Sequence, residues 1–253
     1  MKTETARRRV LDPTIYPVEE KVGEEILQRL IMEFLRPLLQ RWLDARGVKA
    51  LVGADQYMYY RQHDSTARVA PDIYVLPGVA SDTPVRVWKV WETGIVPSFG
   101  LEVVSLDRDK DYFEAPGRYD QLGTPEVIFF DPHYRVQRDR VRWQVYRRVG
   151  RRGLVCVEAT QAERVRSKQL GCWFVAVGEG NATRVRIATG ARGQEMVPTE
   201  AEVERAAKEA ERAAKEAERA AKEEALAARE AALARVRELE DALRKRERPL
   251  RRR

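Results

Sequence analysis

From Glu204 the chain repeats a seven-residue phrase: ERAAKEA at Glu204–Ala210, again at Glu211–Ala217, and with one change at Glu218–Glu224. Ala, Glu, Lys and Arg are strong helix formers, and acid–base pairs four residues apart add support on a helix surface. The stretch is therefore expected to be one long helix, from about Glu200 to Glu247, spanning roughly 70 Å. Sevenfold spacing lines up Ala206, Ala213 and Ala220, with Val203, Ala210 and Ala217 beside them, a seam that buries little. Leu226, Leu233, Val236, Leu239 and Leu243 form a better apolar seam, offset by two residues, and this section is the expected coiled coil. Pro249 ends the pattern. The seven basic residues of Arg244–Arg253 read either as a frayed helix end or as a nucleic-acid-binding tip.

The repeat also accounts for the composition. Charged residues make up 34% of the 253, above the roughly 25% of an average chain. Residues 200–253 hold 16 basic and 14 acidic groups of the chain's 47 and 40, so most of the net +7 is spread over a mildly basic body. That surplus permits a polyanionic partner without identifying one. An apolar fraction of 43% is enough for a core in one or two domains. No run approaches the ~18 apolar residues of a membrane span, and no apolar stretch follows the basic start Met1–Arg9. Cys156 and Cys172 lack CxxC spacing and read as reduced core thiols of a cytoplasmic protein. With His63 and His133 far apart in sequence as well, a zinc site is not expected.

The body opens on an amphipathic helix, with Ile26, Leu27, Leu30, Ile31, Phe34, Leu35, Leu38, Leu39, Trp42 and Leu43 at helical spacing. Pro37 is expected to kink it and Gly47 to close it. The period then changes. Asp55–Tyr60, Ala70–Leu76, Val85–Val90, Phe99–Ser105 and Glu126–Phe130 read as short strands, with a helix over Asp109–Leu122 ending at Gly123. Two hairpins follow, Arg140–Arg148 with Gly153–Thr160, and Trp173–Val177 with Thr183–Ala188. The order implies an α/β or α+β domain, not a bundle or a sandwich.

Asp72 heads the run Ile73–Leu76, Glu102 interrupts the apolar strand Phe99–Val104, and Asp55 opens another. A carboxylate among apolar strand residues is costly unless a cation or donors meet it. Two from adjacent strands would make an oxygen site suited to Mg²⁺ or Mn²⁺; edge-exposed or capping carboxylates are the alternative.

VAPDIYV at Val69–Val75, LEVVS at Leu101–Ser105 and YDQLGTPEVIFFDP at Tyr119–Pro132 together resemble the Uma2 family, a bacterial endonuclease group in the PD-(D/E)xK nuclease-like superfamily. The resemblance covers roughly residues 15–198, including Gln169-Leu170-Gly171, and Ala/Glu/Arg-rich helical tails are similar to those of the family. It implies a restriction-endonuclease-like mixed sheet flanked by helices, and a metal-dependent endonuclease hydrolysing DNA phosphodiester bonds with Mg²⁺ or Mn²⁺. Asp72 and Glu102 would be metal ligands, with Glu24 or Glu25 as a further candidate, and the role of Asp55 is left open. The family's lysine positions hold Val104 and Ala115 here, which leaves Lys110 as the catalytic lysine or as a solvated side chain among aspartates. The second case implies a catalytically impaired member acting as a nucleic-acid-binding or coiled-coil scaffolding oligomer.

Between Arg135 and Arg152 stand eight arginines, with Tyr134, Trp143 and Tyr146 among them. Strand alternation would put Val141, Trp143 and Val145 on one face and Arg140, Arg142 and Arg148 on the other. That stripe is either a phosphate-contacting surface or an ordinary exposed hairpin face. The expected organisation is an arm at 1–14, a nuclease-like domain at 15–198, a long helix or coiled coil at 199–247 that supports a homodimer, and a basic tail at 248–253. A third possibility makes that helix the functional, partner-binding part.

Overall fold

The computed structural model describes residues 12–17, 26–106 and 109–247. The arm through Leu11 and the basic tail lie outside the described residues. Contacts divide the chain into two units, Met1–Val197 and Pro198–Arg253.

The first unit begins with α1 (Ile26–Ala45), whose buried residues include Leu27, Ile31, Leu35, Leu38, Leu39, Trp42 and Leu43. The helix runs on through Pro37 to Ala45, and the turn that follows it includes Gly47, whose φ of 68° is a conformation glycine adopts without strain. Then come β1 (Ala50–Gly53), β2 (Tyr57–Tyr59), β3 (Arg68–Val69), β4 (Ile73–Pro77), β5 (Val87–Lys89), α2 (Val90–Thr93) and β6 (Phe99–Val103). A π-helical turn, Lys110–Glu114, runs into α3 (Ala115–Leu122). Pro116 has no N–H to return to an earlier carbonyl, so the ladder breaks there, and the turn before it widens until Ala115 N–H reaches Lys110 O. The body ends with β7 (Glu126–Phe130), β8 (Trp143–Arg148), β9 (Leu154–Thr160), β10 (Arg164–Ser167), β11 (Cys172–Val177), β12 (Arg184–Thr189) and β13 (Glu195–Met196).

The central sheet has the order β1-β4-β6-β7-β8-β9. It is mixed: β6 and β7 run parallel and the other pairs antiparallel. A second sheet, β10-β11-β12-β13, and a third, β3-β2-β5, complete a mixed α/β fold. Alternation along the central strands builds two cores. Phe99, Leu101, Val103, Ile73, Val75, Ile128, Phe130, Trp143 and Val145 pack with α1 and the second sheet. Tyr74, Leu76, Val104, Val127 and Phe129 pack on the other face with Tyr119 and Leu122 of α3. Each fully buried Leu, Ile or Phe contributes about 2 kcal/mol, which makes this double-sided sheet the rigid frame of the unit. Glu102 shares the parity of Gly100 and Val104, so it belongs to the α3 face.

Both expected hairpins form, and the helix expected to end at Gly123 does so, with its first turn π-helical. β1, β3, β10 and β13 were not foreseen; they are two to four residues long, too short for alternation to register. Cys172 is buried as expected, but Cys156 is exposed on β9, because the outer strand of the sheet leaves much of its length to solvent.

The second unit is α4 (Glu200–Glu247), a 48-residue helix as the repeats require. Thr199 caps it: its hydroxyl accepts from Glu202 N–H (3.2 Å) while the Glu202 carboxylate accepts from Thr199 N–H (2.8 Å). Lys215–Glu211, Lys222–Glu218 and Arg212–Glu216 pair one turn apart along its surface. Leu226, Leu233, Val236, Leu239 and Leu243 are all exposed. Among the described residues no helix is long and apolar enough to cross a membrane.

Candidate functional site

Asp72 stands just before β4, and β4 runs antiparallel to β6 with Ile73 opposite Leu101. This places the Asp72 carboxyl beside the C-terminal end of β6, where its Oδ2 accepts from Val103 N–H at 2.6 Å. Its Oδ1 accepts from the Gln28 side-chain amide of α1 at 2.7 Å. Asp72 is 4% exposed, and both of its oxygens are occupied by donors.

Glu102 meets it from β6. The Tyr119 hydroxyl donates to Glu102 Oε1, and Tyr119 is itself fully buried on α3. Gly100 makes this reach possible, since a Cβ there would lie 3.1 Å from the Tyr119 ring. The two carboxyls stand close enough that the charge of Asp72 acts directly on Glu102. Burial raises the Asp72 pKa to about 7, against the pull of Val103 N–H and Gln28. Burial, reinforced by the Asp72 charge, pushes Glu102 well above the usual carboxylate range, and Tyr119 is raised by its own burial and by Glu102. Asp111, on the π-helical turn, adds a third negative charge that acts on both carboxyls. Its Oδ2 accepts from Ser105 N–H (3.0 Å) and from the Ser105 hydroxyl (3.1 Å).

The structure thus brings Asp72 and Glu102 together and adds Gln28, Tyr119 and Asp111, which the sequence did not single out for this role. Tyr119 had a legible signal: it lines up with Ala115 and Leu122 on the inward stripe of α3, continued by Tyr112 on the turn before it. Gln28 had none, because its partner lies 44 residues away. Glu24 and Glu25 lie outside the described residues. Lys110 is exposed on the π-helical turn, and among the described residues neither carboxylate has a Lys or Arg partner. Val104, at one of the family's lysine positions, is buried in the α3-side core, and Ala115, at the other, packs against it. Asp55 is an exposed turn residue with φ 61°, a region Asp tolerates.

The arginine stripe requires correction. Arg140 precedes β8 instead of alternating along it, and its side chain is buried (2% exposed) against an equally buried Asp131, Nε to Oδ2 2.7 Å. Its other nitrogens donate to Ser105 O (2.5 Å) and Leu106 O (3.1 Å). Tyr112 OH (2.7 Å) and His133 N–H (2.8 Å) complete the shell of Asp131. This hub ties the end of β7 to the segment that leaves β6 just after Glu102. Arg142 is half-buried, stacked at 4.2 Å on Tyr134 and hydrogen-bonded to its hydroxyl and to Ala162 O. Arg148 is exposed at the far end of β8, paired with Asp120 at 2.9 Å. Arg147 bonds the buried Glu126 (2.7 Å), which also accepts from Ser167 Oγ, Lys168 N–H (3.0 Å) and Gln169 N–H (3.2 Å). The acidic residues of the PE and DP motifs therefore join sheets and loops.

Among the described residues no three His, Cys, Asp or Glu side chains converge to hold a metal ion. The pair Asp72–Glu102 nevertheless fits a hard divalent cation: its donors are all oxygen, and a cation would offset the mutual repulsion of the two carboxyls.

The family model Uma2, "Putative restriction endonuclease", matches residues 17–175, and the chain belongs to that family. Among solved structures, a protein from Anabaena variabilis ATCC 29413 described as "a putative nuclease belonging to DUF820" is similar, with a TM-score of 0.44 and 13% identity, over 60% of this chain and 77% of that one. Comparison with curated proteins finds no match.

Proposed function

We propose that this protein is a divalent-cation-dependent endonuclease that hydrolyses DNA phosphodiester bonds, with Asp72 and Glu102 as the cation ligands. The observation that carries the reading is the acid pair at the C-terminal end of β6, a buried Asp72 beside a half-buried Glu102, held from three sides and costly without a positive charge. Bound there, Mg²⁺ or Mn²⁺ would supply positive charge to the phosphate oxygens and acidify a water molecule. The chain's own groups prepare the place. Gln28 and Val103 N–H fix the rotation of Asp72, and Tyr119 fixes Glu102, so the ligand oxygens are oriented before a cation arrives. Asp111 adds to the negative field that draws the cation in.

One observation favours a second reading. Lys110 is exposed and bonded to neither carboxylate, while Val104 is buried, so among the described residues no lysine stands at the pair to stabilise developing charge. On that reading the protein holds a cation and binds DNA, cleaving slowly or not at all. Self-association is assigned to α4, whose exposed Leu and Val seam would be covered by a second copy.

Cation binding is tested by titrating Mn²⁺ and following its electron paramagnetic resonance signal. Wild type is expected to remove free Mn²⁺ from solution, and Asp72→Asn to weaken binding by at least tenfold. Equal binding by the two proteins would place the cation elsewhere.

A further inference from the structure

Strand direction separates the arginines of the β7–β8 region into two groups. β6 and β7 are parallel, with Val103 opposite Phe130 and Val104 N–H bonded to Phe130 O (2.8 Å), so Glu102 and Asp131 share one end of the sheet. Trp143, the first residue of β8, pairs with Phe130 at that end. Arg148 N–H bonds Pro125 O at the other end, and the hairpin turn with Arg151 and Arg152 follows it there. With a rise of ~3.3 Å per residue, that turn lies roughly 17 Å or more along the strands from the carboxylates. Neighbouring strands are only ~5 Å apart, so the loop from Asp131 to Arg142 is rooted within about two strand spacings of Glu102.

This loop is firmly rooted, and its exposed tip carries Arg135 and Arg138 beside one acidic residue, Asp139. Arg140, near one end of the loop, bonds Asp131 at the other and donates to Ser105 O and Leu106 O, a few residues beyond Glu102. Two turns shape it, Val136 N–H to His133 O (2.9 Å) and Arg140 N–H to Gln137 O (3.2 Å). Tyr134 lies between the Arg142 guanidinium at 4.2 Å and that of Arg135 at 5.3 Å. At the tip Arg135 and Arg138 are exposed, beside Val136 at 66%. Arg138 has no ion pair among the described residues. Arg135 pairs with the exposed Glu179 at 3.2 Å, a surface contact weak enough to be exchanged for another anion.

We propose that the β7–β8 loop is the DNA-gripping element of the site, with Arg135 and Arg138 contacting backbone phosphates next to the bond to be cleaved. The proposal rests on the nuclease reading and deepens it by naming how DNA is held. It moves the expected phosphate contacts from Arg140 and Arg148 to residues at the carboxylate end of the sheet. Phosphate contacts of this kind position DNA without reading its sequence.

The test measures binding of a labelled DNA duplex by fluorescence anisotropy across a salt series, using the full chain with Ca²⁺ present. Arg135→Ala/Arg138→Ala is compared with Arg151→Ala/Arg152→Ala, which removes the same charge from the opposite end. The expected result is roughly tenfold weaker binding by the loop variant and a slope of log affinity against log salt reduced by about 2, with little change in the hairpin variant. Equal loss in the two variants would show that only net charge matters and would overturn the assignment, as would no loss in either. Binding lost by the loop variant while wild type fails to cleave would uphold the loop and contradict the catalytic reading. A wild-type chain that binds no DNA would overturn both.

Discussion

Asp72 carries its carboxyl into the end of a sheet, where both oxygens are hydrogen-bonded and burial holds its pKa near 7. In the unfolded chain the same group ionises near 3.8. A folded-state pKa raised in this way means the fold binds the proton more tightly, so the group favours folding at low pH and loses that contribution as pH rises from about 4 to about 7. Asp72→Asn removes the titration while keeping an acceptor for Val103 N–H. Without divalent ions the variant is expected to match wild type in urea melts near pH 4 and to exceed it at pH 8 by on the order of 4 kcal/mol. No advantage at pH 8 would mean that Asp72 is not penalised by its site. Arg140 shows the opposite case, a charge buried with its partner. Arg140→Ala strands Asp131 and is expected to cost about 3–5 kcal/mol, whereas Arg148→Ala, at an exposed pair, should cost under about 1 kcal/mol. Comparable losses in thermal unfolding would contradict the structural role given to Arg140.

Elements with a strong period were legible from sequence: α1, the five-residue β7, both hairpins, and the helix that stops at Gly123. Their residues repeat often enough for burial to leave a pattern. The two-residue strands β3 and β13 leave none. The acid pair was legible because Asp72 and Glu102 break apolar runs. The residues that orient it come from α1 and α3, and only the folded chain joins Gln28 to Asp72 across 44 residues. Arg140 misled for a related reason. Alternation applies only inside a strand, and β8 begins three residues later, at Trp143. The cap Thr199–Glu202 was a readable signature that the heptads overshadowed.

At the scale of the molecule, the body unit and α4 are separate folding problems. The body has two cores of its own, so a chain ending at Val197 is expected to fold and to keep any cleavage activity. If α4 pairs two copies, sedimentation should find the full chain as a dimer and the shortened one as a monomer; an unchanged state would remove that role from the helix. Whether the Asp72–Glu102 pair serves phosphodiester hydrolysis is decided by incubating supercoiled plasmid with the full chain in Mg²⁺ or Mn²⁺. Wild type is predicted to nick or linearise the DNA only when the cation is present, and Asp72→Ala, folded by circular dichroism, to lose at least a hundredfold in rate. Cleavage that persists in Asp72→Ala, or that proceeds in excess chelator, would contradict the assignment of this site.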